Sequence, residues 1–204
     1  MKYSQINPNL FINNRNLLSA KLEENSIAIF NANDIMPTNS DGTMPFKQNS
    51  DLFWLTSVDQ EESVFVMIKH NDLIKEILFL KETNEHIAIW EGAKLTKEKA
   101  NKNSGIQQVY WLTEMEKIIH NEITVLEKIY LNKNMHSRST SEVQTRDDRF
   151  RETMISQFPN KEIKEIAPIM HELRFIKSDL EVALIQHACN ITDKGLRRIL
   201  RLIK

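Results

Sequence analysis

The chain has 204 residues, of which 41% are apolar and 27% charged, a balance ordinary for a soluble globular protein. A formal net charge of −1 gives no electrostatic reason to expect nucleic acid or an anionic membrane as partner. One cysteine excludes an internal disulfide, no run approaches the ~20 apolar residues of a membrane span, and MKYSQINPNLF lacks the apolar stretch of a signal peptide, so a cytoplasmic protein is expected.

After Pro8, apolar residues at Leu10, Phe11, Leu17, Leu18 and Leu22 predict a first helix. Ser26–Phe30 is a short apolar run between asparagines and reads as a buried strand, and residues 33–44 hold the Asp, Pro, Asn, Ser and Gly of a loop. Leu52-Phe-Trp-Leu55 reads as a further strand. Val64–Ile68 and Ile77–Leu80 flank a polar turn at Asn71-Asp72 and suggest a hairpin. Thr96 opens a charged helix closed by Gly105, Gln108–Leu112 reads as a strand, and Thr113 is expected to cap a helix running through Ile123. Leu126–Leu131 is the next strand. Residues 137–148 read as a surface connection entering a helix near Phe150, Met154 and Phe158. Ile163–Ile166 reads as an edge strand, and Pro168 starts a helical turn through Met170 and Leu173. The fold class is α/β, with a mixed sheet of about six strands flanked by helices.

The chain closes on a long amphipathic helix. Ser178 and Glu181 form a capping-box pattern, and apolar residues recur at Leu180, Leu184, Ala188 and Ile191, with a second row through Val182, Ile185 and Cys189. So wide an apolar face requires a large partner, and the helix runs out with the chain; the expectation is a further domain beyond it. The 204-residue chain alone is expected to hide this face by self-association or by folding the helix back.

A search for catalytic chemistry finds no constellation. Histidines stand at 70, 86, 120, 136, 171 and 187 with no i, i+4 pair, and His171-Glu172 lacks the second histidine of a zinc motif because Phe175 occupies its place. His187 and Cys189, two apart on a helix, diverge. There is no G-x-S-x-G elbow, and four glycines leave no phosphate-cradling loop. The pairs Glu61-Glu62 and Asp147-Asp148 read as solvated surface, and Lys194, Arg197, Arg198 and Arg201 as charges favourable to a helix C-terminus. Trp54 and Trp111 lie in apolar runs and read as core. Trp90, where His86–Ile89 meets Glu91-Gly92, is either a lid over the core or a contact offered to a partner.

Five strings occur in an order that resembles the N-terminal domain of Xaa-Pro aminopeptidases (aminopeptidase P), in the creatinase/prolidase group. They are NRNLLSAKLEENSIAIF, PFKQNSDLFWLTSV, IWEGAKLT at Ile89–Thr96, VYWL at Val109–Leu112, and MHELRFIKSDLEVALIQHACNIT. Lys47 replaces the usual arginine, and Ser57-Val58 stands where glycine is common. The resemblance implies a creatinase N-terminal, ribonuclease-H-like domain over residues 1–174, and a junction helix, 175–204, leading to an absent C-terminal metallopeptidase domain. It implies a parent enzyme that hydrolyses the N-terminal residue preceding proline with two manganese ions, whose Asp, His and Glu ligands belong to that C-terminal domain. No catalytic and no metal residue is therefore expected in this chain, which alone is predicted inactive. The resemblance also implies a homo-oligomer in which Trp90 walls the substrate pocket of a neighbouring subunit, favouring the partner-contact reading. The expected partners are the C-terminal catalytic domain and a peptide with proline second.

Two other classes remain. One is a stand-alone, non-catalytic peptidase-like module that binds proteins. The other is a nuclease, suggested by the ribonuclease-H-like fold; it would require acidic residues on central strands to hold magnesium, and residues 27–30, 52–55, 64–68 and 77–80 carry none.

Overall fold

A computed structural model of the chain describes residues 5–135, 138 and 141–203. His136, Ser137 and Lys204, named in the sequence reading, lie outside the described residues.

The first helix, α1 (Pro8–Lys21), starts where proline suits the first turn and Asn7 accepts a hydrogen bond from the Asn9 N–H. It leads into β1 (Ser26–Asn31), every residue of which is buried. Ile27 and Ile29 enter one apolar cluster and Ala28 and Phe30 the other, the two-residue alternation of a strand covered on both faces. Next come α2 (Ser50–Thr56), β2 (Val64–His70) and β3 (Leu73–Leu80). Asn71 and Asp72 both take positive φ, 52° and 59°, which closes β2 and β3 into the expected hairpin. Then follow α3 (Glu85–Glu91), α4 (Lys97–Ser104), β4 (Gln108–Trp111), a 3-10 turn at Leu112–Glu114, α5 (Met115–Thr124) and β5 (Lys128–Leu131). The last elements are α6 (Arg146–Gln157), β6 (Glu162–Glu165), α7 (Ala167–Phe175) and α8 (Asp179–Leu200).

Among the described residues the six strands form one mixed sheet in the order β4-β3-β2-β1-β5-β6. β1–β2 and β2–β3 are antiparallel; β3–β4, β1–β5 and β5–β6 are parallel. Leu18, Leu52, Leu55, Ala100 and Met170 bring α1, α2, α4 and α7 onto one face, and Ile119, Ile123, Met154 and Phe158 bring α5 and α6 onto the other. The three-layer architecture agrees with the α/β expectation, and β6 is the edge strand anticipated at 163–166.

Three local expectations need correction. Leu52–Leu55 is helical, because Asn49 caps the segment by accepting from the Asp51 and Leu52 N–H groups, and Leu52 and Leu55 recur on its buried side. An apolar run of four cannot tell a buried strand from one helical turn. Thr113 does not cap α5; its hydroxyl donates to Glu82 Oε1 at 2.6 Å, and the 3-10 turn makes the entry. The terminal helix does not fold back: among the described residues of α8 none is buried, and Val182, Ile185, Ile191 and Leu196 are exposed.

Buried Arg15 joins four elements. Its Nη1 donates to Leu55 O at 2.8 Å and Ser104 O at 2.9 Å, and its Nε lies 2.9 Å from Glu76 Oε2, an ionic contact whose N–H is poorly aimed for a hydrogen bond. Glu76, the acidic residue of β3, is thereby engaged in an internal ion pair.

At the opposite end of the sheet Glu23 gathers Lys164, Lys128 at 2.9 Å and the Tyr130 hydroxyl at 3.1 Å. Lys164 first, then Lys128, hold the Glu23 carboxyl down at about 2, against an ordinary 4.5. A depressed carboxylate stabilises the fold above its unfolded value, and that contribution disappears as pH falls from about 4.5 towards 2. Glu23→Gln is expected to flatten the stability–pH curve in that window and leave it unchanged in shape above pH 6. Denaturation midpoints across pH 2–7 measure this; equal slopes in both proteins would refute it.

Candidate functional site

The stretch PFKQNSDLFWLTSV folds into a buried turn followed by α2. The Gln48 side chain is buried; its Nε2 donates to Val58 O at 3.1 Å and Gln60 O at 2.8 Å, and its Oε1 accepts from Asn49 N at 2.7 Å. These bonds satisfy backbone groups that the irregular loop leaves without ladder partners. Ser57, at the end of α2, adopts the left-handed conformation, φ 62°. Ser57→Gly is expected to stabilise the fold by about 0.5–1 kcal/mol, since relief of a left-handed side-chain clash outweighs the extra chain entropy of glycine. A thermal or urea midpoint that falls on this substitution would overturn the assignment.

The α7–α8 junction meets α2, more than a hundred residues away in sequence. Asp51 pairs with Arg174 at the end of α7, and the Trp54 indole Nε1 donates to Glu181 Oε1 at 2.8 Å in the first turn of α8. Ser178 and Glu181 complete the expected capping box, with Ser178 N donating to Glu181 Oε2 at 2.8 Å. Burial opposes ionisation of Glu181, yet the Ser178 backbone N–H, the Trp54 indole and the Ser178 hydroxyl keep its carboxyl below the ordinary value. Trp54 is therefore only half-buried and works as a polar anchor, where a plain core residue was expected. Trp111, also read as core, is half-buried against the α1–α2–α4 cluster, with Lys97 Nζ 4.7 Å from its ring centre.

Beneath α8 these contacts leave a cleft of about 430 Å³, lined on its apolar side by Leu10, Phe11, Phe53, Leu184 and Ile185. Phe175 and Ile176, at the α7–α8 link, are exposed beside it in the chain. The cleft lining also carries Lys47, Ser50, Asp59, Arg174, Lys177 and Glu181, of which Arg174 pairs with Asp51 and Glu181 accepts from the Trp54 indole. Asp51–Arg174 and Trp54–Glu181 thus tie the start of α8 to the domain, while the helix buries none of its own side chains.

Trp90 lies on α3 and is 78% exposed, with Ile89 at 75%. It does not line the cleft under α8. No residue of α3 is buried, so Trp90 is no lid over the core.

Both acidic pairs differ from the solvated surface expected of them. Glu61 meets Lys94, each side chain only 13% exposed, and Glu62 Oε2 lies 2.9 Å from Lys81. Asp147 sits where the carboxyl ends of β1 and β5 approach α6 and accepts from Asn31 Nδ2 at 3.0 Å and Asn132 Nδ2 at 2.8 Å. Burial pushes its carboxyl above the ordinary value. Asp148 reaches the other way, into a capping box with Thr145, which holds it below the ordinary value. Beside them Asp34 accepts from Arg146 N at 2.8 Å and pairs with Arg149, walling a cleft of about 360 Å³ that also includes Met36, Met44 and Lys47. Adjacency in sequence gave no sign of this polar nest, because its members come from three distant segments; the asparagines ending two strands were the available signal.

Among the described residues no group of three or more His, Cys, Asp or Glu is placed to hold a metal ion. His187 and Cys189 are exposed on α8, and Arg197 forms an i, i+4 pair with Asp193 at 2.8 Å. Nor is any helix of the described residues long and apolar enough to cross a membrane.

Comparison with known proteins agrees with this architecture. The chain is 25% identical to the Xaa-Pro aminopeptidase of Haemophilus influenzae over 187 residues, which is 91% of this chain and 41% of that protein. It is 24% identical to the Xaa-Pro aminopeptidase of Escherichia coli, across 93% and 43% of the two chains. It is 26% identical to the mitochondrial intermediate cleaving peptidase 55 of Arabidopsis thaliana, across 91% and 36%. It therefore spans about two fifths of the length of these relatives. A solved Bacillus anthracis chain described as a candidate aminopeptidase P superposes with a TM-score of 0.86 at 26% identity, across 94% of this chain and 46% of that one. The low-pH form of E. coli aminopeptidase P gives a TM-score of 0.77 at 22% identity, a likeness of fold alone. Residues 11–130 match the family model of the aminopeptidase P N-terminal domain, and the chain belongs to that family.

Proposed function

We propose that this chain is the non-catalytic front half of an Xaa-Pro aminopeptidase whose C-terminal domain follows α8. In this reading residues 1–174 form the N-terminal domain and 175–204 the junction helix. The observation that carries it is the family match over residues 11–130 together with relatives that are more than twice as long. The exposed apolar face of α8, anchored at its first turn by Trp54 and Glu181, supports a role as the element on which a second domain is built. The whole protein would hydrolyse the bond between an N-terminal residue and a following proline, using two manganese ions. Among the described residues no group of His, Cys, Asp or Glu is placed to hold such a metal pair, and its ligands would lie in the C-terminal domain. The enzyme would act as a cytoplasmic homo-oligomer.

Trp90 is proposed as a substrate-pocket wall for a neighbouring subunit, carrying no chemistry. Its exposure, with Ile89 beside it, supports a contact surface. Trp90→Ala in the whole enzyme is expected to slow turnover of longer Xaa-Pro peptides several-fold while metal content stays constant. Loss of manganese in that variant would sink the pocket-wall role.

A second reading is a stand-alone peptidase-like module that binds proteins, and the same uncovered α8 face would serve it. Peptide mass mapping of the natural product separates the two. Peptides beyond Lys204 and a mass well above 23.9 kDa support the enzyme, whereas a product near 23.9 kDa supports the module.

A further inference from the structure

The segment 81–95 is attached to the domain in a manner unlike the other helices that flank the sheet. α1, α2, α4, α5, α6 and α7 each insert buried side chains, whereas α3 inserts none; Ile87 and Ala88 reach only half-burial. In place of apolar packing it has a bracket of charges. Glu91, in the last turn of α3, lies 3.3 Å from Lys81 Nζ and 3.8 Å from Lys94 Nζ, one lysine on each side of the helix in sequence. Each lysine is in turn moored to the turn before β2, Lys81 to Glu62 at 2.9 Å and Lys94 to Glu61. Glu62 first, then Glu91, hold the Lys81 ammonium above its ordinary value.

The two moorings differ in character. The Lys94–Glu61 pair is largely buried, 13% exposed on both sides, and will resist added salt. Around Glu91 the side chains are 30–45% exposed on the Lys81 side, where screening is effective. Between them stands Gly92, with φ 82°, ψ 165° and open space around the position a Cβ would take, so the backbone can turn there without a clash.

We propose that α3 is a salt-latched arm, in which Glu91 held between Lys81 and Lys94 fixes the presentation of Ile89 and Trp90, and in which screening or loss of Glu91 frees the helix to pivot at Gly92. The buried Lys94–Glu61 pair is the root that stays in place. The arm exists in this chain whether or not Trp90 meets a neighbouring subunit, so the failure of either reading leaves the other standing. A helix held by charge presents its aromatic rigidly at low ionic strength and loosely at high ionic strength, which makes any contact through Trp90 dependent on salt.

Amide hydrogen exchange in the intact protein tests the latch, with residues 85–91 compared between 0.05 and 1 M sodium chloride. Screening shortens from about 10 Å at 0.1 M to about 3 Å at 1 M. Exchange in α3 is expected to quicken about threefold to tenfold over this range, as for one or two exposed ion pairs. Glu91→Gln should show the fast rate already at 0.05 M and gain nothing more from salt. α4, in the same sample, should not change. Three results would each overturn the latch: α3 exchange indifferent to salt, an equal salt response in Glu91→Gln, or an equal acceleration of α4.

Discussion

Arg15→Met is expected to lower the unfolding free energy by about 3–5 kcal/mol, the range for removing one partner from a buried charged network. The guanidinium is 1% exposed, and its two hydrogen bonds go to Leu55 O and Ser104 O, in the last turns of α2 and α4. Carbonyls there have no intrahelical donor, so methionine would leave two buried acceptors unsatisfied and Glu76 without its cation. Glu76 is a quarter exposed and can recover water, so Glu76→Gln is expected to cost only about 1 kcal/mol. Urea unfolding followed by far-ultraviolet circular dichroism gives both numbers. A loss below 1 kcal/mol for Arg15→Met would mean that water or another donor replaces the guanidinium.

Glu181→Ala should act locally. The carboxylate serves the Ser178 backbone N–H and the Trp54 indole, so its removal takes away the reciprocal half of the capping box, leaving the Ser178 hydroxyl on the residue-181 N–H, and strands a half-buried donor. The loss should be about 1.5–2 kcal/mol, or roughly tenfold to thirtyfold in local opening. Because α8 buries no side chain of its own, that loss should appear as faster exchange of amides 181–185, while the global urea midpoint stays within about 0.5 kcal/mol. A fall in the global midpoint by the full amount would instead make α8 part of the cooperative core.

The contrast between these two residues bears on what can be read from a sequence. Arg15 and Glu181 both sit in strings that resemble the aminopeptidase P N-terminal domain, yet the strings do not say that one is a buried strut and the other an exposed anchor. For Glu181 the local pattern was sufficient: serine three residues earlier, before an apolar run, predicts the capping box that is found. For Arg15 nothing local distinguishes it from a surface cation, because its acceptors lie 40 and 89 residues away. Asp147 was misread for the same reason, its amide partners Asn31 and Asn132 lying 116 and 15 residues distant.

The mixed-sheet α/β character, the Asn71-Asp72 hairpin, the Thr96–Gly105 and Ser178 helix boundaries and the family are legible in the amino-acid sequence alone. Each of these depends on short-range periodicity, capping or turn chemistry, or on an ordered set of motifs. Contacts across the fold are needed to see that Leu52–Leu55 is helical, that α8 stands uncovered, that Asp51–Arg174 and Trp54–Glu181 tie two distant motifs together, and that α3 is bracketed by charges. Those features depend on which side chains meet across the fold, and neither hydrophobic period nor local propensity encodes a meeting between residues a hundred positions apart.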